Sequence, residues 1–174
     1  MIFLKLLGTL IRVIRDGATP NQIAGGLVLG VGIGLTPGWP LQVWLLLCVM
    51  FLLNVNMGIG IACAFASAAV AWVLDSVLHG LGMAILGIGS LEGVYTSMYN
   101  SEFWMLSRFN NSVVMGALVL WLISTLPLFF LGRVGVTAYR TKLEPWVMKL
   151  RVVRMIQGSK FYGWYERISQ LRVW

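Results

Sequence analysis

Two apolar stretches of about fourteen residues, 22–35 and 41–53, are parted by Thr36-Pro37-Gly38-Trp39-Pro40. At about 1.5 Å per residue each makes a helix of only ~21 Å, shorter than the ~30 Å hydrocarbon core of a bilayer. The pattern therefore predicts a re-entrant or short-helix hairpin over about residues 20–56, with its turn inside the membrane. Proline lacks an N–H and cannot continue a helix, so Pro37 and Pro40 make the turn. Backbone freed at that depth has to line a protein-covered or wetted cavity. Thr19-Pro20 reads as a helix start, threonine as cap and proline at the first position. Residues 57–74 are an uninterrupted apolar run, expected to be a full transmembrane helix that ends at Asp75. A glycine-rich apolar stretch, 80–88, is expected at the interface. Over about 92–109 aromatic residues mix with Glu92, Glu102 and Arg108, the pattern of a helix resting among headgroups. Residues 112–132 carry no charge and predict a second full transmembrane helix, kinked by Pro127.

Both ends alternate apolar and basic positions. Phe3, Leu6, Leu7, Leu10, Val13 and Ile14 recur at helical spacing among Lys5, Arg12 and Arg15, and Trp146, Val147, Leu150 and Val153 interleave with Lys149, Arg151 and Arg154. Each end is expected to be an interfacial amphipathic helix on anionic lipid. The organisation that follows is a membrane domain, 1–142, and a basic amphipathic C-terminal tail, 143–174. The fold class is an all-α integral membrane protein.

Composition agrees with that pattern: 59% of the 174 residues are hydrophobic and 11% charged, which excludes an ordinary soluble domain. The net charge of +7 sits almost wholly in the two tails. It fits membrane topology better than a nucleic-acid partner. If both tails obey the positive-inside rule, the number of crossings is even, both termini are cytoplasmic and residues 75–111 face outward. Lys5, Arg12 and Arg15 interrupt the first apolar run, so a cleavable signal is not expected. Cys48 and Cys63 lie inside apolar segments, so neither a disulfide nor zinc is expected.

Gly26, Gly30 and Gly34 recur every four residues and offer a bare stripe to a neighbouring helix; Gly58, Ala62 and Ala66 form a second stripe expected to dock on it. Two places can carry chemistry. The hairpin tip, with Thr36, Pro37, Trp39 and Gln42, can present hydrogen bonds in a membrane cavity and is the candidate substrate site. Asp75 and His79, four apart, are the candidate proton couple. One histidine and six scattered acids offer neither a nucleophile with its base nor a metal cluster, so a non-enzymatic protein without cofactor or metal is expected.

Pro20-x-Gln22-Ile23-Ala24, Gly30, Gly34, Pro37, Asn56, Leu74-Asp75-x-x-x-His79-x-Leu81-Gly82, Tyr99-Asn100, Arg108-Phe109-Asn110-Asn111-x-Val113-x-Met115-Gly116 and Tyr139-Arg140 together resemble an uncharacterised bacterial inner-membrane family related to the domain of unknown function 2062. The resemblance covers roughly residues 1–142 and carries Gln22, Asn56, Arg108, Asn110 and Asn111 as motif positions, more readily caps and interface anchors than ligands. Asn54 stands where a basic residue is expected in relatives. The resemblance implies one half of a two-gene pair with a large envelope protein. The function expected is a non-enzymatic inner-membrane subunit of an envelope lipid-transport or envelope-biogenesis assembly, anchoring that partner. The alternatives are a carrier for an anionic lipid such as a polyprenyl phosphate, and a purely structural scaffold. The partners expected are anionic lipids of the cytoplasmic leaflet, the envelope protein and, as a further option, a second copy of the chain.

Overall fold

A computed structural model describes residues 18–143. The amphipathic helix expected at 2–15 and the basic tail, apart from Leu143, lie outside the described residues. Those described are helical throughout their regular elements: α1 (Pro20–Leu35), α2 (Leu41–Leu52), α3 (Met57–Val73), α4 (Asp75–Leu86), a 3-10 turn (Gly89–Leu91), α5 (Glu92–Tyr99), α6 (Glu102–Met105) and α7 (Ser112–Ala138), followed by a π-helical turn (Tyr139–Leu143). The chain divides into two compact units between Val136 and Thr137, within the last turn of α7, and everything described below belongs to the first.

α1 starts as its sequence dictates. The Thr19 hydroxyl accepts from the Gln22 N–H at 3.2 Å, and the Gln22 side chain accepts from the Thr19 N–H at 2.8 Å. This reciprocal cap satisfies two donors that a helix start leaves free. At the other end Thr36 donates back to the Gly32 carbonyl at 2.9 Å, and Pro37-Gly38 turns the chain, with Gly38 in the left-handed region at φ 75°.

The helices α1 and α3 run parallel, one register for thirty residues' separation. A Cβ on Gly26 would strike the Asn56 carbonyl, one on Gly30 the Gly60 carbonyl, and one on Gly34 the Ala64 carbonyl and Ser67 hydroxyl. The Asn56 N–H donates to the Gln22 carbonyl at 3.0 Å and pins the register at its start. Thus the glycine face of α1 presses backbone on backbone against α3, while α2 packs alongside, with Leu46 and Met50 on Leu29. α1 makes its main packing contact with α3 and a smaller one with α2. The stripe on α3 differs from the expected one. Gly60, Ala64 and Ser67 meet α1, whereas Gly58 and Ala66 are exposed and Ala62 is half-buried. Asn56 caps α3 through its side chain, accepting from Ile59 N–H at 2.9 Å, and that start rotates the helix about half a turn from the simple small-residue pattern.

α7 lies along α1 in the opposite sense: Gly132 is beside Ala24, and the Trp121 indole N–H donates to the Val28 carbonyl at 2.9 Å over Gly32. Trp121→Phe keeps the ring's apolar body and removes this donor, so we expect a loss of about 1 kcal/mol in a detergent unfolding titration.

Among the described residues one helix, the one beginning at Ser112, is by itself long and apolar enough to cross a membrane. Beyond its buried first turns it exposes Leu122, Ile123, Leu126, Phe130 and Leu131. A second full span, expected at 57–74, is not shown: α3 stops at Val73 and the chain turns by 80° into α4. The turn is held by packing. Leu78 is 0% exposed against Leu35 and Ala117, and α4 crosses the start of α7 so closely that a Cβ on Gly82 would strike the Ser112 carbonyl and one on Gly116 the Leu78 carbonyl. The glycine-rich stretch 80–88 therefore belongs mostly to α4. The interfacial helix expected over 92–109 is likewise broken, into α5 and α6, with Asn100-Ser101 between them and a turn over 106–111 after them.

Candidate functional site

Three breaks in the helices meet at one end of α7. The Leu41 N–H, just past Pro40, donates to the Leu106 carbonyl at 2.9 Å. His79 Nδ1 and the Ser112 hydroxyl share a 2.6 Å hydrogen bond. Asn111 caps α7, its side-chain oxygen accepting from the Val113 and Val114 N–H groups at 3.0 and 3.1 Å. The break at 36–40, the corner at 74–75 and the turn at 106–111 thus lie beside the start of α7.

Between the break and the corner lies an open cleft of about 550 Å³. Leu35, Val43, Leu47, Met50, Ala68 and Leu78 are among its apolar walls, and Trp39, Phe65 and Trp72 add aromatic rings. Phe65 and Trp72 are 77% and 86% exposed, so the aromatic side opens outward. Thr36 and Asp75 both line it, and Asp75 is the one ionisable side chain that does.

Of the four residues predicted to form a substrate site, the cleft collects Thr36, Pro37 and Trp39. Gln42 sits on the far side of the break, half-buried, with its Oε1 enclosed and without a hydrogen-bond partner. Trp39 leans on Trp44, ring centroids 5.7 Å apart. Of the two residues expected to form a proton couple, His79 is hydrogen-bonded to Ser112 and Asp75 lines the cleft.

The motif positions divide by role. Gln22, Asn56 and Asn111 cap helices. Asn110 lines a second, shallower cavity with Tyr95, Tyr99, Asn100 and Glu92, in which Tyr95 stacks on Phe109. Arg108 stands apart. It is a non-glycine residue at φ 51°, and its Nη1 lies 3.2 Å from where a Cβ on Gly38 would stand. The Arg108 side chain therefore reaches Gly38, itself left-handed, at the edge of the cleft. Left-handed geometry in a residue such as arginine is uncommon and costs of order 1 kcal/mol. Neither Arg108 nor Trp72 was placed at the tip by the sequence, since only the fold brings 72 and 108 beside 38.

The family model described as "Uncharacterized protein conserved in bacteria (DUF2062)" matches residues 5–144. The chain belongs to the DUF2062 family. An uncharacterised protein of Treponema pallidum (strain Nichols) is 28% identical over 156 residues, covering 90% of this chain and 96% of the relative. No solved structure matches the chain. Of the motif residues, Gln22, Asn56 and Asn111 serve helix starts, Asp75 lines the cleft, and Arg108 stands beside Gly38 at its edge.

Proposed function

We propose that this DUF2062 protein is a non-enzymatic, multi-pass lipid-handling subunit of the bacterial inner membrane, which holds part of one lipid in the cleft and anchors a large envelope partner. The observation that carries the reading is the cleft itself: an apolar, laterally open groove of about 550 Å³ at the start of the membrane-length helix, with a single carboxylate on its wall. Ligand sites are typically concave and mostly apolar, with a few polar groups that fix orientation. A groove that opens past Phe65 and Trp72 suits an acyl chain entering sideways from the bilayer. Asp75 argues against the alternative of an anionic polyprenyl phosphate as cargo, because like charges repel most where water is scarce.

Mild-detergent affinity purification from native membranes, with mass spectrometry of both protein and lipid, tests this. The expected result is about one phospholipid per chain surviving detergent exchange, together with a large envelope protein. A chain that emerges with its partner but free of lipid would overturn the lipid role and favour a plain scaffold.

A further inference from the structure

The cleft has an acidic wall and a basic edge. Asp75 is on the wall formed by the α3–α4 corner, and the guanidinium of Arg108 stands beside Gly38, which lines the cleft at the break. Both side chains are exposed. No ion pair within 4 Å joins them, and neither has another charged partner among the described residues. Two opposite charges that flank one groove without neutralising each other make a dipolar site. A ligand with one charge would satisfy one and leave the other facing it.

We propose that the cleft selects a zwitterionic phospholipid, its phosphate on Arg108 and its ammonium on Asp75, over an anionic one. This inference rests on the lipid-handling reading and adds the headgroup class to it. Arginine's planar fork matches a phosphate through two parallel N–H donors. The left-handed backbone at Arg108 and the bare Gly38 beside it bring that fork against the break, and any side chain at 38 would occupy the space the guanidinium uses. Asp75 supplies acceptors for an ammonium, and the faces of Trp39 and Trp72 that line the same groove also attract a cation. The apolar floor of Val43, Leu47, Met50 and Ala68 takes the upper part of an acyl chain. The ligand's own charges thus replace water at both side chains.

The full-length protein is reconstituted in bilayers of equal parts phosphatidylethanolamine and phosphatidylglycerol, extracted, and its retained lipid identified by native mass spectrometry. We expect phosphatidylethanolamine to exceed phosphatidylglycerol by about three- to tenfold, the range that one or two partly exposed charge contacts give. Asp75→Asn brings the ratio close to one with total lipid nearly unchanged, and Asp75→Glu restores it. Arg108→Gln lowers the retention of both lipids, about threefold, because both carry the phosphate. Enrichment of phosphatidylglycerol in the wild type, or an Asp75→Asn protein with the wild-type ratio, would overturn the headgroup assignment and leave the lipid-handling reading standing. A wild-type chain that retains neither lipid would overturn both.

Discussion

Gly30→Leu should yield no folded protein. A side chain there begins inside the Gly60 carbonyl and 3.0 Å from the Cys63 Cβ, and both belong to the body of a helix that cannot rotate away. Overpacking a flexible core costs typically 1–3 kcal/mol. Here the obstacle is backbone, and separating α1 from α3 at residue 30 also opens the contacts at Gly26 and Gly34. The loss expected is therefore above about 3 kcal/mol, a large part of the 5–15 kcal/mol that holds most domains together. Gly80→Ala is the matched control. A Cβ there meets nothing within 4 Å, and alanine favours a helix over glycine by up to about 1 kcal/mol, so this variant should be as stable as the parent or more so. Monodisperse yield in detergent, followed by an unfolding titration, reads both variants. A well-folded Gly30→Leu protein would mean that α1 and α3 are not in backbone contact.

Ala68→Trp should empty the cleft while leaving the helices in place. Ala68 lines the groove but is exposed, so an indole has room to enter the groove from α3 without meeting the α1 seam. An indole buries on the order of 200 Å², and it would occupy the space given to the acyl chain. We expect retained lipid to fall by about tenfold or more, the equivalent of about 1.4 kcal/mol in binding. Stability should move little, since cavity filling by an apolar group is as often stabilising as not.

Legibility in the sequence followed the range of the interaction. Helix starts were plain because Thr19 with Gln22, and Pro20, act within one turn. The break at 36–40 was plain because proline and a left-handed glycine act on their own backbone. The stripe of Gly26, Gly30 and Gly34 gave one face of the seam. Its counterpart was misread as Gly58, Ala62 and Ala66, because which face of α3 turns inward is set by the Asn56 cap and its tie to the Gln22 carbonyl, an interaction thirty-four residues long in the chain. The end of α3 near Asp75 is legible, but the 80° turn that carries the chain on into α4 is not. Leu74-Asp75-Ser76 contains no helix breaker, and the bend is imposed from outside by the close approach of Gly82 and Gly116 to their neighbours' carbonyls. At the site, Thr36, Pro37, Trp39 and Asp75 were each singled out from chemistry alone, but as two separate sites. Joining them, and adding Arg108 and Trp72, takes the corner that the sequence does not announce.

The central claim is that the groove between the break and the corner holds a lipid. Its most direct test is native mass spectrometry of the wild-type chain and the Ala68→Trp variant, purified side by side from the same membranes. The account predicts about one phospholipid on the wild type and a largely lipid-free variant of unchanged unfolding midpoint. Equal lipid on two equally stable proteins would contradict it.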